Sequence, residues 1–201
     1  MEDNHRLDAG LRMAELCYEK LGRNLEALAS LDERLVLNEE LGNKDAISFC
    51  LVRKGFLLTK VFDKSNESLR CYEKAEPISR EQNDVDNFKA SLTSQAFLLR
   101  YKLDRFDDAL VKYNEIESLC QQIGDEKTLL TVLYNQVWIY IEKKGDYEKA
   151  YQKSVELEAL SIKHGHKEFY LNSLENQITI HKSWGENDKA RQKKKELKAA
   201  K

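Results

Sequence analysis

Apolar residues recur along this chain with a fixed period of 41 residues. Five aliphatic side chains occupy equivalent positions in successive periods: Leu16, Leu57, Leu98, Ile139 and Ile180. Within each period, two apolar runs with the spacing of an amphipathic helix are separated by a short polar turn. A supersecondary unit repeated in this way is typical of a solenoid. The pattern therefore predicts an all-α fold of about ten helices, arranged as five antiparallel hairpins in a right-handed superhelix (solenoid) without any sheet.

Five polar turns define the predicted hairpins. Each turn carries Gly, Asp or Asn between two apolar runs: Leu21–Asn24, Asp63–Asn66, Leu103–Phe106, Lys144–Tyr147 and Trp184–Asn187. We expect a single repeat domain over residues 1–201, with hairpins at about residues 7–44, 45–85, 86–125, 126–166 and 167–201. In the last helix Leu197 is the only large apolar residue, so we interpret this helix as a polar cap or as a truncated end of the array.

Other positions repeat with the same period and indicate where helices end and pack. Residues that accept a left-handed backbone follow each second helix: Gly42, Asn83, Gly124 and Gly165. Small residues recur near the start of the second helices: Ala27, Ser68, Ala109, Ala150 and, after one deletion, Ala190. Small residues also recur inside the first helices, where they favour close packing: Ala14, Gly55 and Ala96. Pro77 lies inside a predicted second helix and predicts a kink or a break between Tyr72 and Ile78.

These residues resemble the tetratricopeptide repeat (TPR) in a longer form of about 40 residues. The resemblance rests on Gly55 and Ala96 in the first helices, and on a small residue followed four residues later by an aromatic in the second helices: Ser68 with Tyr72, and Ala109 with Tyr113. It covers about residues 7–190, but leucine replaces the tryptophan of the family's first helix at four positions: Leu51, Leu92, Leu133 and Leu174. A HEAT-type repeat is the competing interpretation; the turn Gly145–Tyr147 and the alanine positions favour the TPR form. The resemblance implies a binding module whose first helices line a concave groove.

Composition narrows the class of partner. The net charge of −2 predicts no strong attraction to nucleic acid or to a membrane surface. No apolar run approaches the roughly 20 residues that a membrane span needs, and the charged N-terminus is unlike a secretory signal. The four cysteines form no CxxC pair, and we interpret them as reduced, half-buried helix residues of a cytoplasmic protein. The basic C-terminal residues are interpreted as a solvated helix rather than a nucleic-acid contact.

Catalytic motifs are absent from the sequence. It contains no glycine-rich phosphate loop and no recognisable arrangement of nucleophile and base. His164 and His166 flank a helix end, but no Cys or carboxylate stands beside them at metal-ligand spacing, so we interpret them as solvated turn residues. We therefore expect no enzyme activity, no cofactor and no metal.

Aromatic residues mark the candidate binding site. One position of the first helices holds, in successive periods, Glu15, Phe56, Phe97, Trp138 and Thr179. A neighbouring position holds Leu11, Val52, Thr93, Tyr134 and Glu175. Because residues one period apart occupy equivalent places, we predict a partner-binding groove formed by Val52, Phe56, Phe97, Tyr134 and Trp138. The alternative is that these aromatics fill the wider space that a long repeat leaves between its helices.

The function that follows is protein–protein interaction without catalysis. We expect an adaptor or scaffold that binds a helix or peptide of a partner protein in the concave groove. The alternative is a sensor or regulatory TPR domain of a larger signalling or transcription-regulating system, binding a peptide or a small effector. The sequence leaves the identity of the partner and the oligomeric state open.

Overall fold

The computed structural model describes the backbone of residues 2–201 and the side chains of residues 3–201. This part of the chain forms ten α-helices and no strand. The helices are α1 (Glu2–Lys20), α2 (Asn24–Leu41), α3 (Lys44–Lys60), α4 (Ser65–Glu81), α5 (Val85–Tyr101), α6 (Phe106–Ile123), α7 (Glu126–Ile139), α8 (Tyr147–His164), α9 (Lys167–Ser183) and α10 (Asn187–Ala200). A π-helical turn, Tyr140–Lys144, extends α7. The number of helices and the five predicted turns are confirmed.

Turn chemistry sets the helix boundaries. Four of the helices begin after a residue whose side chain accepts a hydrogen bond from a backbone N–H of the first turn: Asn43, Asp84, Asp125 and Asp146. The predicted left-handed residues after the second helices are confirmed, with φ of 65° at Gly42, 56° at Asn83, 72° at Gly124 and 71° at Gly165. A second left-handed position follows the first helices: Gly22, Asp63, Asp104, Gly145 and Gly185. Each connection between helices therefore contains one residue in the left-handed conformation, which ends the helix before it.

The helices group into two compact units. The first extends to Arg105 and contains α1 to α5, and the second is Phe106–Lys201 and contains α6 to α10. Within each unit, every helix packs on the next one along the chain. The division falls between the two helices of the third predicted hairpin. The single domain over 1–201 therefore stays a prediction.

The cores of both units follow the repeated apolar positions. Leu57, Leu98, Ile139 and Ile180 are at most 1% exposed, as their shared position predicts. The fifth member, Leu16, differs from the other four, because it is 37% exposed. The neighbouring Glu15 is buried instead, because its carboxylate accepts a hydrogen bond from Arg53 Nε at 2.9 Å. The paired charge offsets the cost of removing Glu15 from water.

The small positions explain how closely the helices pack. Ala27, Ala109 and Ala150 are fully buried, and Ala190 is nearly so. At Gly55, a Cβ atom would lie 2.8 Å from the ring of Tyr72, so glycine is required for α3 and α4 to approach this closely. Gly55 on α3 therefore makes room for the ring of Tyr72 on α4.

Pro77 does not end α4, which continues to Glu81. The expected alternative of a break between Tyr72 and Ile78 is therefore wrong, and the alternative of a kink stays a prediction. Proline removes one backbone donor, but neighbouring turns and the packing of Ala75 and Ser79 in the core hold the helix together. No helix in the described part of the chain is long and apolar enough to cross a membrane.

Candidate partner-binding cleft

Phe56 and Phe97, the two predicted groove residues from α3 and α5, lie on opposite sides of one cleft in the first unit. The exposed fractions of their side chains are 38% and 45%. The cleft has a volume of about 280 Å³, and its other lining residues are Thr59, Lys60, Tyr72, Thr93, Ser94 and Leu98. Exposed phenylalanines at a concave surface are available to an apolar side chain of a partner.

Tyr72 from α4 forms the floor of the cleft. Its ring lies against Gly55, and burial raises the pKa of its phenol, against hydrogen bonds with Ser94 and Ser68 that lower it. The Ser68 hydroxyl donates to the Gly55 carbonyl at 2.6 Å, and Thr59 and Ser68 share a further 2.6 Å hydrogen bond. The floor is therefore held by a satisfied hydroxyl network, and the walls supply the apolar surface.

Cations border the cleft on the α3 side. The Lys60 ammonium lies 5.1 Å from the centroid of the Phe56 ring, and the Arg53 guanidinium lies 5.7 Å from the same centroid. Arg53 is already paired with Glu15 and Glu19, at 2.8 and 2.6 Å. Its charge therefore organises α1 and α3 rather than the cleft.

Val52 lies one turn before Phe56 on α3 and is half-buried. It does not line the cleft; Thr93, which occupies the equivalent position on α5, does. The sequence predicted Phe56 and Phe97 as site residues, but it did not predict that Thr59, Lys60, Thr93 and Ser94 line the same cleft. Whether these residues line the cleft depends on which side of each helix the aromatic ring leaves open. No periodic pattern in the sequence indicates which side that is.

Tyr134 and Trp138 lie on α7 in the second unit, and both are half-buried. The ring of Trp138 lies 6.2 Å from that of Phe106, and the Lys143 ammonium is 5.3 Å from the Trp138 ring. Tyr134 makes an edge contact with Phe169, with centroids 6.4 Å apart. A groove that uses all five predicted residues stays a prediction.

A recurrent polar contact between consecutive helices was also not predicted from the sequence. In three places a buried glutamine donates to a glutamate nineteen residues earlier, at 2.6 to 2.8 Å: Gln95 to Glu76, Gln136 to Glu117, and Gln177 to Glu158. Both residue types recur with the 41-residue period, so the signal was present in the sequence. Each pair joins a second helix to the first helix that follows it, and so fixes their register.

The histidines and cysteines take structural places. His164 Nδ1 pairs with Glu126 Oε2 at 2.7 Å, and His166 makes an edge contact with Phe169. Among the described residues, no group of three His, Cys, Asp or Glu side chains is arranged to hold a metal. Cys50, Cys71 and Cys120 are buried and Cys17 is exposed; burial raises the pKa of the Cys50 thiol to about 11.

Two solved structures share the fold of the whole chain. BtubC (BKLC) from P. vanneervenii matches with a TM-score of 0.72 and 19% sequence identity, covering 99% of this chain and 82% of its own. A variant of a putative kinesin light chain from Podosopora anserina, described as having nearly identical TPR-like repeats, matches with a TM-score of 0.70 and 14% identity, covering 100% of this chain and 96% of its own. No family model matches the chain, and no curated protein does. The predicted all-α, TPR-like helical-repeat fold is confirmed.

Proposed function

We propose that this chain is a non-enzymatic adaptor or scaffold of the cytoplasm that binds a helix or peptide of a partner protein. The proposed groove is formed by Val52, Phe56, Phe97, Tyr134 and Trp138. The observation that carries the proposal is the cleft between Phe56 and Phe97, whose rings remain well exposed beside fully buried neighbours. Buried core aromatics would have supported the alternative that these rings only fill space.

The floor of the cleft favours a preformed site. Its tyrosine is fixed by packing on Gly55, so binding a side chain there requires little ordering of the protein. Large apolar anchors in such pockets usually dominate the affinity of a peptide or helix for its receptor. The partner is therefore expected to insert one aromatic or aliphatic side chain between Phe56 and Phe97.

The size of the cleft favours a side chain over a small effector. Its volume of about 280 Å³ is just below the range for small-molecule sites, roughly 300–1,000 Å³. The hydroxyls of its floor already hydrogen-bond to one another or to the backbone, which leaves few polar groups to select an effector. A sensor domain for a small molecule is therefore the weaker alternative.

The test is selection of peptides from a displayed random library against the full chain, followed by calorimetry with the selected peptides. We expect micromolar binding that Phe97→Ala and Phe56→Ala each weaken by tenfold or more. Leu25→Ala is the matched control, because Leu25 is an exposed apolar residue on α2 that does not line the cleft. The affinity of the Leu25→Ala variant for the selected peptides should equal that of the unchanged chain.

The contrary results are equally specific. Peptides that bind equally well to both phenylalanine variants would place the binding surface elsewhere. Failure to select any peptide, together with large losses of stability in Phe56→Ala and Phe97→Ala, would favour the space-filling interpretation.

A further inference from the structure

Ser94 occupies a repeat position that holds a longer side chain in every other hairpin. The five residues at this position of the first helices are, in chain order, Arg12, Arg53, Ser94, Asn135 and Asn176. Serine is the smallest of them, because its side chain ends at Oγ, one bond beyond Cβ. Ser94 also lines the cleft between Phe56 and Phe97. The short side chain of Ser94 is therefore a candidate cause of this cleft.

The first unit contains a filled and an open version of the same contact between first helices. Between α1 and α3, Glu15 and Arg53 are 38 residues apart, and Arg53 Nε donates to the Glu15 carboxylate at 2.9 Å. Between α3 and α5, Phe56 and Ser94 stand at the same two repeat positions. Both of these residues line the cleft. A long side chain therefore bridges the two helices in one case, and a short side chain leaves a gap in the other.

Hydrogen bonding holds the Ser94 side chain at the floor of the cleft. Tyr72, whose ring forms that floor, shares hydrogen bonds with Ser94 and Ser68. The Ser94 hydroxyl is therefore engaged below the space between Phe56 and Phe97 and does not fill it. A longer residue in place of Ser94 would extend above the floor and make the cleft shallower.

The space above Ser94 is large enough for an aromatic ring. The cleft has a volume of about 280 Å³, and an apolar cavity of roughly 150 Å³ is enough to hold a benzene molecule. Three of its lining residues are themselves aromatic: Phe56, Tyr72 and Phe97. Contacts between rings add to the free energy gained from burial alone. A small aliphatic side chain would leave part of the space empty and would lose these contacts.

Charge at the edge of the cleft also favours a ring. Among the described residues that line the cleft, Lys60 is the only charged one, and its ammonium lies 5.1 Å from the centroid of the Phe56 ring. A cation in this place attracts the negative face of a second aromatic ring, and it repels a lysine or an arginine of a partner. An aromatic anchor is therefore complementary to the cleft in size and in charge, whereas a cationic anchor is not.

We propose that Ser94 determines the size of the side chain that the cleft accepts from a partner protein. Its short side chain leaves room for an aromatic anchor, and a longer residue at this position would restrict the cleft to a small aliphatic anchor. Because the same cleft is involved, this role of Ser94 rests on the proposed function. The partner is accordingly a protein that presents an exposed aromatic side chain on a helix or peptide.

The experiment selects peptides from a displayed random library against the full chain and against variants at Ser94. The anchor is the peptide position whose replacement by alanine weakens binding most. We expect an aromatic anchor for the unchanged chain and for Ser94→Ala, which removes the hydroxyl without making the side chain longer. Ser94→Asn introduces the residue type of the equivalent positions 135 and 176, and it should select valine or alanine as the anchor. Ser94→Thr adds one methyl group and should give an intermediate preference.

Calorimetry with one peptide selected on the unchanged chain measures the size of this preference. Two versions of the peptide, with phenylalanine or valine as the anchor, are compared on each chain. Phenylalanine should bind about tenfold more tightly than valine to the unchanged chain and to Ser94→Ala, as expected for filling an apolar pocket. On Ser94→Asn the two should bind within about twofold of each other or in the reverse order. Ser118→Asn makes the same change at an exposed serine of α6 outside the cleft, and it should retain the preference for phenylalanine.

Two results would overturn the role of Ser94 and leave the proposed function intact. The first is that Ser94→Asn weakens both versions of the peptide by the same factor, while its circular dichroism equals that of the unchanged chain. The second is that Ser94→Ala loses the preference as fully as Ser94→Asn, which would assign it to the hydrogen bond with Tyr72 rather than to size. In both cases Phe97→Ala would still weaken binding. If Ser94→Asn does not fold, an unchanged preference in Ser94→Thr overturns the role instead.

A different result would contradict the proposed function itself. If Phe97→Ala leaves the affinity of every selected peptide unchanged, or if no peptide is selected, the cleft is not the binding surface. The role of Ser94 is then wrong as well, because it depends on a side chain bound in that cleft.

Discussion

The two units place aromatic residues at the same repeat position, but those residues meet different surroundings. In the first unit, Phe56 and Phe97 border a cleft and stay 38% and 45% exposed. In the second unit, Trp138 lies against Phe106 and under the Lys143 ammonium. The difference teaches that the period fixes which side of a helix a residue occupies, whereas the neighbouring side chains decide whether a partner has access to it.

A cation lies over the aromatic ring in both units, but different local structure brings it there. In the first unit Lys60 lies over Phe56, four residues later in the chain. In the second unit the residue four positions after Trp138 is Glu142, but the π-helical turn at Tyr140–Lys144 brings Lys143, five positions later, over the ring instead. A cation stabilises the negative face of the aromatic ring, and a carboxylate would not.

The largest expected effect is a difference in stability between substitutions at two adjacent residues of α5. Leu98 is 1% exposed and Phe97 is 45% exposed. Leu98→Ala should lower the free energy of unfolding by about 2–5 kcal/mol, and Phe97→Ala by about 1 kcal/mol or less. Urea denaturation of both variants checks this, and equal losses would show that Phe97 belongs to the core.

A second prediction compares the two units directly. Trp138→Ala should lower the free energy of unfolding by about 2 kcal/mol, because it removes a half-buried ring and its contact with Phe106. Phe56→Ala should cost about half as much, since its ring is more exposed. Thermal denaturation measures both. Trp138→Phe, which keeps a ring at this position, should recover most of the loss. Equal stability of Trp138→Ala and the unchanged chain would contradict the prediction, because the Trp138 ring would then contribute no more to stability than an exposed ring.

A third prediction concerns the floor of the cleft. Gly55→Ala places a Cβ within 2.8–3.0 Å of three ring carbons of Tyr72, so the ring must move. The crowding costs about 1–3 kcal/mol, and the better helix propensity of alanine returns roughly 0.5–1 kcal/mol. We expect a net loss of about 1–2 kcal/mol on the same two estimates, measured by chemical denaturation.

The matched control for that substitution is Gly10→Ala. Gly10 also lies inside a helix, but a Cβ there meets nothing within 4 Å. It should therefore gain about 0.5–1 kcal/mol from helix propensity alone. A stabilised Gly55→Ala variant would mean that the close contact between α3 and Tyr72 is not required.

The smallest effect tests the left-handed position after the first helices. The first unit has Asp104 there with φ of 53°, and the second has Gly145 with φ of 62°. Asp104→Gly should raise the free energy of unfolding by about 0.5–1 kcal/mol, since glycine adopts this conformation without strain. Gly145→Asp should lower it by a similar amount. Melting temperatures that move in the same direction for both changes would contradict this account.

The helices and most of the core could be predicted from the sequence, because those features depend on local chemistry. Turn residues such as Gly42 and Asp125 end or begin a helix through their own backbone preference or side-chain hydrogen bond. The 41-residue period then identified the buried positions, since equivalent residues meet equivalent neighbours wherever a repeat lies between two others. Leu16 departs from this pattern and is 37% exposed, because among the described residues no helix packs over it as α2 packs over the equivalent Leu57.

The candidate site was predicted only in part. The sequence alone predicted the all-α repeat fold and identified Phe56 and Phe97 as candidate site residues. Tertiary structure decided that Tyr72 closes the cleft, that Glu15 is buried beside Arg53, and that Lys143 rather than Glu142 lies over Trp138. These outcomes depend on distances between side chains on different turns and helices, and no period along one chain encodes them.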